Sequence, residues 1–244
     1  MRRFYRAGRG GVQFAREEIV SIEEVWQREI ETVIIGAGIC PCLRDRMMAT
    51  VIEEPLAAEE GVRRLTVADL AALPSELPSG PVKFELDEGR LVQGTAPPGS
   101  DHGRMQSRVV YALTKYAEAH ELGITFAEVA IVLKRNPDRV FGADAAFVAT
   151  RSLPVRTSPE GYLETIPEIV VEVRSKNDSI PKLQRKVTKY LRAGVRIVWL
   201  IDTASKTVTM CRDQVASLEL QPGDTLTADG VISGIQIPVA ELFT

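Results

Sequence analysis

The chain has 244 residues, of which 45% are hydrophobic and 26% are charged, and its formal net charge is −3. This composition is typical of globular proteins and excludes a predominantly disordered chain, and no apolar run reaches the roughly 20 residues that a membrane helix needs. Because the net charge is slightly negative, affinity for a polyanion would have to come from a local basic patch.

The composition of the chain shifts near Met47. Residues 1–46 begin basic and glycine-rich and end in a Gly/Cys/Pro segment, and we interpret them as an N-terminal extension outside the folded unit. Residues 47–63 are expected to form a lead-in linker, with Met47 or Met48 as a natural start point, before a domain spanning residues 64–244. An odd count of three cysteines and the absence of a signal-peptide pattern favour a cytoplasmic protein without membrane contact.

The domain is predicted to begin with a short helix and a hairpin. Thr66 is a helix N-cap candidate before "VADLAAL", and "VKFELDEGRLVQG" has two strands around an Asp-Glu-Gly turn. A loop then offers Ser100 and Asp101 as caps for a helix from about Arg104 to Leu122, where apolar residues recur at three- and four-residue steps.

Strands and one further helix fill the remaining chain. A helix from about Ile180 to Ala193, closed by Gly194, is expected after three strands and before three more, the last followed by a short helical turn. The predicted strands are "ITFAEVAIVL", "VFGADAAFVAT", "PEIVVEVRS", "RIVWLIDT", "TVTMCRD" and the tail "GVISGIQIPVAELF". This order predicts an α/β fold with a central mixed β-sheet flanked by helices.

Glu172 interrupts the apolar strand "IVVEVR". Side chains alternate across a strand, so Glu172 shares a face with Val170 and Arg174. An unpaired buried carboxylate costs several kcal/mol, so Glu172 should have a cation, a metal or a water-filled cleft beside it, and the simplest case is an ion pair with Arg174 or a neighbouring lysine. Asp144 intrudes in the same way into the preceding strand. Two acids on adjacent strands can converge, and their oxygen ligands favour magnesium or manganese.

The helix after Glu172 carries a basic stripe. Lys186 lies at the border of its apolar face and is aimed toward the sheet. A basic stripe beside an acidic metal site suits a nuclease, although such a helix face is more commonly just solvated. The candidate nucleic-acid-binding residues are Arg174, Lys176, Lys182, Arg185, Lys189 and Arg192.

From Arg64 to the C-terminus the chain resembles the Uma-two family of restriction-endonuclease-like proteins, in the PD-(D/E)xK nuclease superfamily. The resemblance is carried by "ADAAFV" and by the segment from Pro167 to Arg212. It implies a restriction-endonuclease-like core and a metal-dependent DNA endonuclease. Asp144 takes the place of the motif's aspartate and Glu172 that of its Asp/Glu. Arg174 stands where the superfamily has its lysine, and Lys186 from the next helix occupies that role.

The resemblance also implies roles around this motif. Asp144, Glu172 and the main-chain carbonyl of Val173 would ligate Mg²⁺ or Mn²⁺, with Glu85 as a further candidate ligand whose alternative is an exposed strand carboxylate. Lys186 would orient the attacking water or stabilise the transition state. The candidate cleft residues are His102, Gln184 and Tyr190.

Two other functions stay open at this point. The chain is either a catalytically inactive nuclease-fold domain that binds nucleic acid or a partner protein, or a structural domain whose buried charges form an ion-pair network. For an active enzyme, cutting both strands of a duplex would favour a homodimer.

Overall fold

A computed structural model describes residues 63–77, 80–93, 99–175 and 178–244. The proposed extension and nearly all of the lead-in linker lie outside these residues. The described part begins with helix α1 (Val67–Ala71). Its N-cap is Thr66, whose side chain accepts a hydrogen bond from the Asp69 N–H, as predicted.

Two short hairpins follow. Strands β1 (Glu76–Leu77) and β2 (Gly80–Pro81) form a two-stranded sheet of their own. Strands β3 (Phe84–Asp87) and β4 (Arg90–Gln93) form the predicted hairpin. Its two turn residues, Glu88 and Gly89, have φ of 54° and 69°. Positive φ at both positions is typical of a type I′ turn, whose twist matches that of the flanking strands.

Helix α2 spans Ser100–Ala119 and begins four residues earlier than predicted. Its N-cap is Gly99, so the prediction that Ser100 or Asp101 caps the helix is wrong. Both residues lie inside the first turn, where the Asp101 carboxylate interacts favourably with the helix dipole. His102 therefore belongs to a helix with a fixed orientation and not to a loop.

The main sheet has eight strands and mixed direction. Strands β5 (Gly123–Lys134) and β6 (Arg139–Ala149) pair antiparallel, and a 3₁₀ turn (Thr150–Ser152) follows β6. Strand β7 (Ile169–Arg174), helix α3 (Ile180–Arg192) and strand β8 (Ile197–Asp202) form a crossover unit, because β7 and β8 are parallel. Strands β9 (Thr207–Arg212) and β10 (Val215–Leu220) extend the sheet antiparallel, giving the order β10-β9-β8-β7-β6-β3-β4, with β5 on the other side of β6.

The chain ends in a small second layer. Strands β11 (Thr225–Ala228) and β12 (Ile232–Pro238) form a hairpin, and helix α4 (Val239–Leu242) is the predicted final helical turn. Strands β1, β2, β10 and β11 were not predicted. In β10 all residues except Leu220 are exposed, so its sequence lacks the apolar alternation by which a half-buried strand is recognised.

The sheet separates two apolar clusters. One face packs against α2 and the C-terminal layer and includes Val171 and Trp199, whereas the other packs against α3 and includes Val170 and Val198. By strand alternation Glu172 lies on the same face as Val170, as predicted, and the structure shows that α3 covers this face. The expected mixed β-sheet flanked by helices is confirmed.

Candidate active site

Strand β6 changes its hydrogen-bonding partner partway along one edge. Its other edge pairs with β5 over nearly the whole strand. On the changing edge, Val140 pairs with Leu86 of β3, whereas Ala145 to Phe147 pair with β7. Within the described residues, positions 141–144 of β6 have no ladder partner on this edge. We call this opening between β3 and β7 the fork.

Side chains satisfy the backbone of Gly142 inside the fork. The Gly142 N–H donates to Glu85 Oε1 at 2.8 Å. The Gly142 carbonyl accepts from Lys186 Nζ at 2.7 Å and lies 3.0 Å from the Tyr190 hydroxyl, whose single proton is shared between this carbonyl and Glu172. Backbone groups buried away from water need hydrogen-bond partners. At Gly142, where no described strand supplies them on this edge, the Glu85 carboxylate and two side chains of α3 do so.

Lys186 is the partner that Glu172 needs. Its Nζ lies 2.9 Å from Glu172 Oε1 and 3.0 Å from Glu85 Oε1. Only 8% of the Glu172 side chain and 18% of the Lys186 side chain are exposed. Tyr190, one helical turn after Lys186, donates to the same Glu172 oxygen at 2.8 Å. The ammonium group thus lies among three oxygens, one each from strands β3, β6 and β7.

Asp144 lies on the adjoining strand, with a separate set of contacts. Its Oδ2 accepts from the Val173 N–H at 2.6 Å and lies 3.2 Å from His102 Nε2. The hydrogen bond to Asp144 raises the pKa of His102 above its usual value, against the opposing effect of burial. Val173 directly follows Glu172, so the Asp144 carboxylate is hydrogen-bonded to the backbone next to Glu172.

Burial and neighbouring charge shift the proton affinities at the fork. Burial raises the pKa of Glu172 to about 7, with Lys186 lowering it and the Asp144 and Glu85 carboxylates raising it further. Burial acts to lower the pKa of Lys186, but the carboxylates of Glu172 and Glu85 outweigh it and hold that pKa above its ordinary value. Burial, followed by the Glu172 charge, raises the pKa of Tyr190 well above 10.0. Lys186 stays charged and Tyr190 stays neutral at pH 7.

The raised pKa of Glu172 predicts a pH-dependent stability. A carboxyl group whose pKa rises from 4.5 to about 7 on folding stabilises the protein below pH 4.5, and this contribution is lost as the pH rises through 7. The free energy of unfolding of the wild type, relative to the Glu172→Gln variant, is expected to fall by about 3 kcal/mol over this range. Urea unfolding of both proteins between acid and mildly alkaline pH measures the difference, and parallel stability curves would contradict it.

The donor chemistry of the fork fits a divalent cation. Glu85 and Glu172 share the single ammonium of Lys186. The Asp144 carboxylate lies close enough to Glu172 for their repulsion to contribute to the raised pKa of Glu172. In the described part of the chain no three His, Cys, Asp or Glu side chains are arranged as a complete ligand set. Mg²⁺ does not require such a set, because it commonly binds one or two carboxylates and fills its octahedron with water and substrate phosphate.

The remaining predicted residues divide into two groups. Arg174 is held by Asp202, with 2.5 Å between Nη1 and Oδ2, and Lys189 is paired with Asp87. Gln184 is exposed and lies about 200° around the helix from Lys186, so the prediction that it lines the same cleft is wrong. Of the predicted nucleic-acid-binding residues, Lys182, Arg185 and Arg192 are exposed on α3, and Lys176 lies outside the described residues.

Two residues that the sequence did not single out lie beside Asp144. Gln106 Nε2 donates to the Asp144 carbonyl and to Glu128 Oε1, each at 2.8 Å. Gln106 stands four positions after His102 in α2, and this spacing could have indicated that both face the same point. No sequence signal marks Glu128, because its place depends on the register between β5 and β6.

Comparisons with known proteins agree with this architecture. The model of the family Uma2, described as "Putative restriction endonuclease", matches residues 67–240. A similar solved structure is described as "a putative nuclease belonging to DUF820" from Anabaena variabilis. It is 21% identical with a TM-score of 0.60, and the likeness covers 73% of this chain and 97% of that chain. At this identity the likeness is one of fold. No curated protein matches the chain significantly, and no helix in the described ranges is long and apolar enough to cross a membrane.

Proposed function

Because the chain belongs to the Uma2 family, we propose that it is a metal-dependent endonuclease that hydrolyses phosphodiester bonds in DNA. One observation supports this most strongly. Asp144, Glu172 and Lys186 come from two strands and a helix and meet at the fork, where the sheet leaves an opening in an otherwise continuous ladder. An ordinary structural ion pair does not need an interrupted ladder.

Asp144 and Glu172 are the residues that would hold the metal, together with the main-chain carbonyl of Val173. The Val173 N–H fixes one oxygen of Asp144, so the carboxylate enters the site in a defined orientation. A bound Mg²⁺ or Mn²⁺ lowers the pKa of a coordinated water and neutralises charge on the phosphate. Glu85 is a further candidate ligand, although the contacts it makes in the fork are to Lys186 and to the Gly142 N–H.

Lys186 supplies positive charge to the reacting phosphate. Glu172, Glu85 and the Gly142 carbonyl hold its ammonium group in place, so little reorganisation is needed when negative charge develops in the transition state. Its raised pKa keeps it protonated at neutral pH, so it acts as a fixed donor and not as a general base. Tyr190 restrains Glu172 from the same helix.

The exposed basic side chains of α3 are proposed to bind the DNA backbone. Lys182 lies about one turn before Lys186 on nearly the same side of the helix. Arg185 directly precedes Lys186 and lies about 60° around the helix from Lys182, so the two exposed cations share one flank. Phosphate contacts of this kind give affinity that falls with salt and carries no sequence information.

Replacing both Lys182 and Arg185 by Ala is expected to weaken DNA binding and to reduce the slope of log affinity against log salt by about 2, because each lost phosphate contact lowers it by about 1. Fluorescence anisotropy with a labelled duplex at several salt concentrations measures this slope. Lys115→Ala serves as the control. Lys115 is an exposed lysine of α2, which packs on the opposite face of the sheet, so this variant is expected to leave the slope unchanged. An unchanged slope in the double variant would place the DNA elsewhere.

Incubation of the purified chain with supercoiled plasmid and with single-stranded DNA tests the activity. Cleavage in Mg²⁺ or Mn²⁺ that stops when EDTA is added supports the proposed function, and linear product formed without accumulated nicked circles supports the homodimer. DNA binding without cleavage under either metal would reject the enzyme and favour a nuclease fold that only binds. If the protein neither binds nor cleaves DNA, the remaining interpretation is a structural domain whose buried charges form an ion-pair network.

A further inference from the structure

Glu128 adopts a backbone conformation that is unusual inside a strand. Its φ is 50°, in the left-handed region that non-glycine residues seldom occupy. The other non-glycine residues with positive φ in the described ranges lie in turns, namely Glu88, Glu121, Asn136, Lys206 and Gln214. Glu128 alone among these interrupts a ladder, since Ala127 pairs with Ala145 and Val129 with Ala143, but the intervening position has no pair.

The position opposite Glu128 on β6 is Asp144. The register of the flanking pairs assigns it there, so the strain lies directly across from a proposed metal ligand. A glycine would adopt this conformation without cost, and a glutamate that keeps it must be held by its surroundings. Such strain is commonly found where a site needs a fixed geometry.

Gln106 links the two strands at this point. It is 9% exposed, and its single amide nitrogen donates both to Glu128 Oε1 and to the Asp144 carbonyl. Lys83 pairs with the same Glu128 carboxylate from the segment before β3. The Asp144 residue is thereby restrained at its carbonyl by Gln106 and at its carboxylate by the Val173 N–H.

We infer that Glu128 and Gln106 are positioning residues for Asp144. The left-handed backbone conformation of Glu128 places its carboxylate within hydrogen-bonding distance of the Gln106 amide. That amide in turn holds the Asp144 main chain, so that Asp144 Oδ2 keeps its hydrogen bond from the Val173 N–H. The consequence for catalysis rests on the proposed function, but the restraint on Asp144 does not. Both residues act through Asp144 and touch neither substrate nor metal.

Amide hydrogen exchange at Val173 reports this restraint directly, because its N–H donates to Asp144 Oδ2. Val171, in the same strand and paired with both β6 and β8, is the internal reference. In Glu128→Gly and in Gln106→Leu, exchange at Val173 relative to Val171 is expected to rise about tenfold, since loss of the restraint frees the Asp144 carboxylate. A merely destabilising change would accelerate both amides together.

Glu121→Gly is the matched control. Glu121 has nearly the same φ, 52°, but lies in the turn after α2, away from Asp144 and Gln106. This variant is expected to keep the Val173-to-Val171 ratio of the wild type. Unchanged ratios in Glu128→Gly and Gln106→Leu would overturn the inference.

Cleavage kinetics separate the positioning role from the proposed function. Both variants are expected to lower kcat with little change in KM for DNA, because Asp144 acts on the reacting phosphate and not on the flanking backbone. If the wild type fails to cleave while the exchange ratio still rises in both variants, the proposed function fails and the restraint on Asp144 stands. If cleavage by the variants equals that of the wild type, the positioning role in catalysis is wrong.

Discussion

Lys186→Met is expected to lower kcat for DNA cleavage by about 10²–10³-fold while leaving DNA affinity nearly unchanged, as found for the loss of one preorganised donor to a transition state. The substitution keeps the length of the aliphatic side chain and removes only the charged donor. It also leaves Glu172 and Glu85 without the cation between them.

The same variant is expected to lose stability in a pH-dependent way. Breaking a buried ion pair by removing one partner costs about 3–5 kcal/mol when the remaining charge cannot escape. Here Glu172 can take up a proton, because its pKa is already raised to about 7, so the loss is greatest above that pH and smaller in acid. Urea unfolding at both ends of this range, together with single-turnover cleavage, measures the two effects.

Lys134→Met provides the control for this experiment. Lys134 is also ion-paired, with Glu88, but 43% of its side chain is exposed. Exposed pairs contribute about 0–1 kcal/mol, so neither stability nor cleavage is expected to change appreciably. Equal behaviour of the two variants would mean that the pairing around Lys186 has no special role.

Asp144→Asn is expected to reduce cleavage by about 10³-fold or more, corresponding to at least about 4 kcal/mol of lost transition-state stabilisation. Asparagine retains an oxygen that can accept from the Val173 N–H, but it removes the negative charge that a divalent cation would bind. Since the Asp144 charge also opposes ionisation of Glu172, the variant is expected to be as stable as the wild type within about 1 kcal/mol.

Calorimetric titration of Mn²⁺ into this variant and the wild type gives a second readout, with weaker binding expected in the variant. Asp138→Asn is the matched control. Asp138 is a buried aspartate directly before β6, the strand that carries Asp144, and it accepts from the Val67 and Asn136 N–H groups. It is expected to lose stability but not metal affinity. Unaltered cleavage or Mn²⁺ binding in Asp144→Asn would remove Asp144 from the site.

Local pattern was sufficient to predict much of this site. Strand alternation placed Glu172 on one face of the sheet, and the border position of Lys186 on α3 aimed it at that face. The Asp-Glu-Gly turn with its flanking alternation located the hairpin that carries Glu85. Each of these depends on residues near one another in the chain, where side-chain period and turn chemistry are decisive.

The fork itself could not be predicted, because it depends on pairings between distant segments. Strand β6 meets β3 at one position and β7 at others, and nothing in "VFGADAAFVAT" indicates where the exchange occurs. The strand pattern and the resemblance both indicated Asp144, but neither indicated that Lys186 and Tyr190 would contact the Gly142 carbonyl. The left-handed conformation of Glu128 was hidden for the same reason, since a glutamate carries no preference for it.

Metal-dependent nicking of supercoiled plasmid by the wild type, Glu172→Gln and Glu168→Gln tests the assignment of the site most directly. Glu168 is a second buried glutamate, just before the other end of β7, where it accepts from the Ala149 N–H and the Ser152 hydroxyl. We expect nicking in Mg²⁺ or Mn²⁺ by the wild type and by Glu168→Gln, and none by a folded Glu172→Gln. Nicking by Glu172→Gln at the wild-type rate, or no nicking by the wild type under either metal while DNA binding persists, would contradict a nuclease site at the fork.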